Sequence, residues 1–414
     1  MTMETNADVT PSAELLREAL VQQLRKQGMI VSDRVADAFS TVERHRFVPE
    51  ETPLEVAYNA NDAVATKRDE HGAIISSVSA PFIQAQMIEQ AELKPGMSVL
   101  EIGSGGYNAA LLAEVVGTKG RVVSMDIDPE VTDRASALLD AAGYGSRVEV
   151  VLADAEHGVP ASEPFDAIVV TVGVWDIPPA WLEQLTPDGR LVVPLRMNGI
   201  TRSIGFRREG DHLVSTSAEV CGFVAVQGDG EHPDRIFQLP DGHGRHISLR
   251  FDTGAPEDPA LLNGVLATER TTAWSGVTTK HGVSFADLHL WFASFLPGFC
   301  RVAADDGTDL AAERGTWFPY GVVHKDAFAY LAVRPALEGR GAEFGAGAYG
   351  PPASAQEAAT AMVEQIQAWD RHARRSSPTF AFWPNGSDPT QIPKDAVVLP
   401  KAHGLVTISW PAMS

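Results

Sequence analysis

The chain has 414 residues, is 44% hydrophobic and 21% charged, and carries a formal net charge of −21. Its length suggests two domains, or three, and its composition is that of an ordinary soluble globular protein. The negative charge argues against a nucleic-acid substrate, because phosphate binding needs a basic surface.

No membrane span is expected, since no stretch approaches ~18 uninterrupted apolar residues. Residues 1–11 are polar and lack the basic and apolar regions of a secretion signal. Cys221 and Cys300 lack zinc-ligand spacing and read as buried thiols in a reducing cytoplasm. Cytoplasmic localisation is the expectation.

In chain order, residues 12–27 read as an amphipathic helix ended by Gly28, with Leu15, Leu16, Leu20, Val21 and Leu24 at helical spacing. A second helix is predicted over 33–42. Residues 50–80 read as loops and short strands, and residues 81–92 as a helix. Strands are then predicted at 98–102, 121–125, 147–152, 166–171 and 190–194, with helices at 107–116, 129–142 and 179–185. This alternation predicts a mostly parallel sheet covered on both faces, with antiparallel edge strands at 202–206 and 213–223. After about residue 228 the alternation stops. Residues 228–240 read as a linker or long loop. Helices are predicted at 285–294 and 354–374, and short strands at 379–383 and 405–410. The second half therefore reads as α+β, without repeats. Arg371, His372, Arg374 and Arg375 form the only dense basic cluster, read as cations at a helix C-terminus.

The chemistry concentrates at Val99-Leu100-Glu101-Ile102-Gly103-Ser104-Gly105-Gly106-Tyr107. A hydrophobic strand ends in an acid, and a glycine turn leads into a helix. The next strand ends in Asp126, where a carboxylate can accept hydrogen bonds from ribose hydroxyls. There is no Gly-Lys-Ser/Thr and no dinucleotide spacing. An acid just before the turn suits a ligand without a pyrophosphate, such as S-adenosylmethionine. The alternative is an ordinary tight turn of an α/β protein.

Other segments add to this turn. Gln22-Gln23-Leu24-Arg25-Lys26-Gln27-Gly28 is followed by Val42-Glu43-Arg44-His45-Arg46-Phe47-Val48-Pro49, Ser77-Val78-Ser79-Ala80-Pro81-Phe82, Asp154, Pro164-Phe165-Asp166-Ala167-Ile168 and 185–194. Together, residues 18–195 resemble the protein-L-isoaspartate (D-aspartate) O-methyltransferases. The resemblance implies a Rossmann-like S-adenosylmethionine-dependent methyltransferase sheet, followed here by a C-terminal α+β domain. The implied division is an N-terminal substrate-side segment (1–80), a cofactor-binding core (81–227) and an accessory domain (228–414). The glycine turn is one residue shorter than the family's Glu-x-Gly-x-Gly-x-Gly-Tyr.

By this resemblance the cofactor residues are Glu101, Gly103, Ser104, Gly105, Asp126, Ile127, Asp154 and Ala155, with S-adenosylhomocysteine as product. Glu101 would fix the turn or reach the methionine amino group. Asp126 would bind the ribose, and Asp154 would accept from the adenine amino group, its alternative being a loop cap. Ser77, Val78 and Ser79 would contact the substrate. Ser79 would orient the acceptor carboxylate as the catalytic residue, or cap the helix that starts at Pro81. Arg44 and His45 read as structural, and His157 as a solvated loop residue. No metal is expected, since His281, His289 and His324 lack ligand spacing.

The second half resembles the methyltransferases encoded with ribosomal peptide natural products, those of FxLD lanthipeptide systems and their graspetide and lasso-peptide relatives. The residues that carry this are Trp274-Ser275-Gly276-Val277, Phe328-Ala329-Tyr330-Leu331, Glu343-Phe-Gly345-Ala-Gly347-Ala-Tyr349-Gly-Pro351, Phe382-Trp383-Pro384 and Ile408-Ser409-Trp410-Pro411. It implies methylation of an aspartate carboxylate in a modified macrocyclic precursor peptide, leading to aspartimide and then isoaspartate. The partner would be that peptide, recognised by the C-terminal domain, with no nucleic acid and no membrane. The alternatives are a general isoaspartate repair enzyme and a non-catalytic peptide-binding protein that keeps the fold.

Overall fold

The computed structural model describes residues 11–159, 164–313, 315–336 and 341–411. The polar N-terminal segment, residues 1–10, lies outside them. The chain divides into two compact units, one of residues 1–195 and 202–231, the other of 196–201 and 232–414.

The first unit opens with two capped helices, α1 (Ala13–Lys26) and α2 (Asp33–Thr41). The Ser12 hydroxyl accepts from Leu15 N and the Ser32 hydroxyl from Val35 N, so each helix starts with an orphan donor satisfied. Leu20, Val21 and Leu24 of α1 are buried as their spacing predicts. A short α3 (Leu54–Ala57) and the hairpin β1 (Val64–Arg68) and β2 (Ile74–Val78) follow. Next come α4 (Pro81–Gln90), β3 (Ser98–Ile102), α5 (Tyr107–Val116), β4 (Arg121–Asp126), α6 (Pro129–Ala141) and β5 (Val148–Leu152). The unit closes with β6 (Phe165–Val170), α7 (Pro179–Glu183), β7 (Leu185–Met197), β8 (Ile200–Glu209) and β9 (His212–Val220).

Its strands lie in the order β9-β8-β7-β6-β3-β4-β5. β5, β4, β3, β6 and β7 pair in parallel, and β8 and β9 pair antiparallel. Val99, Leu100, Ile102 and Ala167 to Val170 are buried because helices cover both faces of the central strands. The apolar runs that predict strands at 98–102 and 121–125 therefore give strands at those places. β7 and β8 extend beyond the predicted lengths. Full burial of each such Leu, Ile or Val is worth about 1.5–3 kcal/mol.

The second unit contains β10 (Arg235–Pro240), β11 (His246–Phe251), β12 (Thr271–Thr279), α8 (Ala286–Phe295), β13 (Phe299–Ala304) and α9 (Asp309–Ala312). It continues with β14 (Trp317–His324), β15 (Ala327–Pro335), β16 (Ala342–Tyr349), α10 (Pro352–His372), β17 (Thr379–Pro384), β18 (Val397–Pro400) and β19 (Gly404–Ser409). Seven strands form an antiparallel sheet, β10-β11-β13-β14-β15-β16-β12. α10 packs on it, placing Trp369 edge-on to Phe344. The other face packs Leu249, Phe251, Phe328 and Tyr330 into a separate core. The Gly-rich run of β16 serves this packing, because a Cβ at Gly347 would stand 2.4 Å from the Tyr330 ring.

Three expectations change. Residues 228–240 are not a loop throughout, because 235–240 form the edge strand β10. The second half carries far more strand than its two predicted runs. The basic cluster is partly consumed, with Arg374 bonded to Asp370 and to the Thr278 carbonyl and stacked over Trp369.

Candidate active site

β3 delivers the chain to the glycine turn. Gly103 has φ +97°, and a Cβ there would stand 2.6 Å from Thr171 Oγ1 and 3.1 Å from Val172 Cγ1. Thr171 Oγ1 lies within hydrogen-bond distance of the carbonyls of Ile102 (3.0 Å) and Gly103 (2.8 Å), locking the end of β6 to the turn. The turn closes on β4 as well. Ser104 N donates to Asp126 Oδ2 at 3.0 Å, and Asp128 N donates to Asp126 Oδ1 at 3.0 Å. Burial raises the Asp126 pKa against these two backbone donors.

Beneath the turn lies a buried polar cluster. Glu101 is fully buried, and Ser124 Oγ donates to its Oε2. Ser124 Oγ is also 2.9 Å from Ser104 Oγ. Desolvation pushes the Glu101 carboxyl up to about 7. The side chains of Ser124 and Asn108 both favour the ionised carboxylate, but desolvation outweighs them.

Above these groups is a cleft of about 410 Å³, counting its space open to solvent. It is lined by Ile102, Gly103, Met125, Asp126, Ile127 and Ala155, among others. The predicted residues Gly103, Asp126, Ile127 and Ala155 thus meet in one cleft. Its apolar side chains can hold a flat ring, and Asp126 offers carboxylate oxygens for hydroxyls. These features fit S-adenosylmethionine.

The other predicted cofactor residues do not line the cleft directly. Glu101 and Ser104 support it from below. Gly105 faces the substrate segment, since a Cβ there would lie 3.7 Å from the Ser77 carbonyl oxygen. Asp154 accepts from Glu156 N and from Asp229 N, so each carboxylate oxygen already holds one backbone donor. It caps the short helical turn Ala155–His157.

Ser77 and Val78 end β2, and Ser79 follows. Ser79 is not the cap of α4. The N-cap is Ala80, without a side-chain bond, and Pro81 starts the helix with no N–H to satisfy. The Ser79 hydroxyl makes no hydrogen bond among the described residues, whereas its carbonyl is fixed by Arg44. Arg44 is fully buried and also bonds the carbonyls of Ala57, Val78 and Asp62 and Gln84 Oε1. Burial lowers its pKa to about 10, so it stays charged at neutral pH. His45 Nδ1 meets Tyr58 Oη at 2.8 Å.

Sequence reasoning missed several contributors. Ile75, Val172 and residues 225–227 also line the cleft. Only Ile75 had a local signal, as a neighbour of the Ser-Val-Ser segment. His157 is paired with Asp229 at 2.9 Å rather than merely solvated. Asp154, His157 and Asp229 bring ligand-type atoms within 4.8 Å of one another, and they bond among themselves. No helix among the described residues is long and apolar enough to cross a membrane.

Residues 15–231 match the family model of protein-L-isoaspartate(D-aspartate) O-methyltransferase. The protein-L-isoaspartate O-methyltransferase of Methanopyrus kandleri is 41% identical over 180 residues, which cover 43% of this chain and 76% of that protein. That of Thermotoga maritima is 36% identical over 217 residues, covering 52% of this chain and 67% of it. A solved protein-L-isoaspartate O-methyltransferase is similar with a TM-score of 0.48 and 29% identity, covering 57% of this chain and 84% of that one. The chain belongs to the protein-L-isoaspartate(D-aspartate) O-methyltransferase family, the S-adenosylmethionine-dependent enzymes that methylate protein carboxyl groups.

Proposed function

We propose that this S-adenosylmethionine-dependent carboxyl O-methyltransferase esterifies an aspartate side chain in a modified, macrocyclic ribosomal peptide. One observation carries the reading. The family match ends at residue 231, yet residues 232–411 build a further unit with its own sheet and core. Such a unit suits recognition of a particular peptide. Its sequence resemblance to the enzymes of FxLD lanthipeptide, graspetide and lasso-peptide systems supports the same reading. Phe328, Tyr330, Phe344, Phe382 and Trp383 of the resembling segments are core, while Trp274 is half-buried under Arg334. Trp274 is the better candidate for peptide contact.

S-adenosylmethionine supplies an electrophilic methyl group on its sulfonium. The acceptor carboxylate is already ionised near neutral pH, its ordinary pKa being about 4, so no strong general base is required. The protein's work is then to position acceptor and donor and exclude water. In this reading Asp126 holds the ribose, the cleft's apolar residues hold the adenine ring and Ser79 orients the acceptor carboxylate. Arg44 fixes the Val78 and Ser79 carbonyls and so aims that segment. After release, the backbone nitrogen following the methylated residue attacks the ester and expels methanol. The five-membered aspartimide that results opens with water to aspartate or isoaspartate. A macrocycle that holds the chain near the attack geometry favours this step.

Mass spectrometry tests the reading. A cyclised L-aspartyl precursor and a linear isoaspartyl peptide are each incubated with enzyme and S-adenosylmethionine. The expected result is gain of one CH₂ and then net loss of one water from the cyclised peptide alone. Turnover of the isoaspartyl peptide alone would instead establish general repair, the second reading, which the names of the relatives favour.

Ser79→Ala gives a second test. A hydrogen bond to a charged group is worth about 1.5–3 kcal/mol. The expected loss in kcat/KM for the acceptor is therefore roughly 10- to 100-fold, with affinity for S-adenosylhomocysteine changed less than about twofold. An unchanged kcat/KM would remove Ser79 from the reaction.

A further inference from the structure

The hairpin β1–β2 runs straight into Ser79, and its ladder is broken in the middle. Ala65 pairs with Ser77, Lys67 with Ser76 and Arg68 with Ile74, which leaves Thr66 and Ile75 out of register. Irregularities of this kind re-aim side chains beside active sites. Thr66 is held by α6. Arg134 Nη1 donates to the Thr66 carbonyl at 3.2 Å, and Arg134 Nη2 donates to Thr66 Oγ1 at 3.0 Å and to Ser76 Oγ at 3.3 Å. Thr66 Oγ1 and Ser76 Oγ are themselves 2.9 Å apart, so one guanidinium clamps both strands. Beside it, Lys67 Nζ donates to Asp128 Oδ2 at 2.6 Å and lies 2.7 Å from Glu130 Oε2. The Lys67 and Asp128 side chains are 25% and 15% exposed, which shields this pair from much of the solvent.

The hairpin is also held at its tip and at its exit. Asp69 Oδ1 accepts from His71 N and from Ala73 N at 2.9 and 2.8 Å. At the exit, Arg44 bonds the Val78 and Ser79 carbonyls. Between them, Lys67 and Arg134 supply the polar ties from the hairpin to α6. That helix is a firm anchor: Asp128 caps it by accepting from Glu130 N, and Val131, Ala135 and Leu139 are buried.

We propose that Lys67 and Arg134 are positioning residues for the acceptor: they fasten the β1–β2 hairpin to α6 and so fix how Ser77, Val78 and Ser79 are presented. The inference rests on the reading of that segment as the acceptor's contact. A two-stranded hairpin is marginally stable alone, so its placement depends on such ties. When only a fraction of the molecules holds the fastened form, apparent acceptor affinity falls by that fraction. An acceptor once bound still meets the correct geometry. The loss therefore falls on acceptor KM and not on kcat.

The test is steady-state kinetics of the full chain with whichever of the two peptides above the wild type methylates, beside calorimetry with S-adenosylhomocysteine and thermal melts. Lys67→Met is expected to raise acceptor KM about two- to fivefold, the scale of a partly exposed ion pair. Arg134→Gln, which breaks a three-bond clamp, is expected to raise it about tenfold. In both, kcat and cofactor Kd should stay within about twofold of wild type. Lys67→Arg should restore the KM. Added salt should raise the wild-type KM by a component that Lys67→Met lacks, because salt screens such pairs. Tryptic cleavage after the exposed Arg68, read by mass, follows the hairpin without an acceptor and should be severalfold faster in both variants. If acceptor KM is unchanged in both while Ser79→Ala is impaired, the fastening is overturned and the acceptor segment stands. If Ser79→Ala also behaves as wild type, the segment leaves the reaction and the proposal falls with it. A cofactor Kd that rises as much as acceptor KM would assign both residues to the cofactor side and overturn the proposal. Cleavage after Arg68 no faster than in wild type would overturn it as well. Lys67→Met carries the test if Arg134→Gln does not fold.

Discussion

Gly103→Ala is expected to cost cofactor affinity about two orders of magnitude or more. Two penalties combine. At φ +97° an L side chain is strained by about 1–2 kcal/mol. The added methyl also meets Thr171 Oγ1 at 2.6 Å and Val172 Cγ1 at 3.1 Å, and overpacking of this kind costs typically about 1–3 kcal/mol. Neither neighbour yields easily. Thr171 is held to the carbonyls of Ile102 and Gly103, and Val172 is itself part of the cleft wall. The turn must shift instead, carrying with it the Ser104 N–H that is bonded to Asp126. Each 1.4 kcal/mol is about a factor of ten in affinity. Calorimetry with S-adenosylhomocysteine, beside a thermal melt, checks this. A Kd within about threefold of wild type would mean that the turn does not shape the site.

The parallel half of the protein was legible in sequence because its signals are local. Val99 to Ile102 and Ala167 to Val170 are continuous apolar runs bounded by turn residues, as strands buried on both faces must be. Ser12 and Ser32 mark helix starts within one turn of the residues they cap. Gly103, Asp126, Ile127 and Ala155, which line one cleft, share this locality, since they lie in short motifs at strand ends. The second unit hid its strands. β10 is a six-residue edge strand that ends in Pro240 and has only two buried residues, and β16 is rich in glycine and alanine, which carry little strand signal. Its Gly347 is explained only by the Tyr330 ring on the neighbouring strand. The approach of the chain after β9 to the cleft was illegible on similar grounds. Gly228 and Asp229 look like turn residues, and nothing near them in sequence announces Asp154, 75 positions away.

Arg44→Ala is expected to destabilise the methyltransferase unit by about 3–5 kcal/mol, among the larger effects for one residue. The guanidinium is fully buried and reaches the carbonyls of Ala57, Asp62, Val78 and Ser79 and the Gln84 side chain. It also lies over the Tyr107 ring at 4.9 Å. Truncation leaves several buried acceptors unpaired, each worth about 1–3 kcal/mol, offset by relaxation and entry of water. Arg44→Lys keeps the charge but loses the planar fork that spans these partners, so most of the loss should persist. The melting temperature should fall by roughly ten degrees, at about 2–4 °C per kcal/mol for a unit of this size. The kinetic consequence is more specific. Arg44 hydrogen-bonds the Val78 and Ser79 carbonyls and meets the glycine-turn side only through the Tyr107 ring, so well below the melt the KM for the acceptor peptide should rise more than the Kd of S-adenosylhomocysteine. Thermal melts of both variants with paired KM and Kd measurements decide it. If Arg44→Lys melts like wild type, the fork is dispensable. If cofactor Kd rises as much as acceptor KM, Arg44 supports the whole unit rather than the substrate segment.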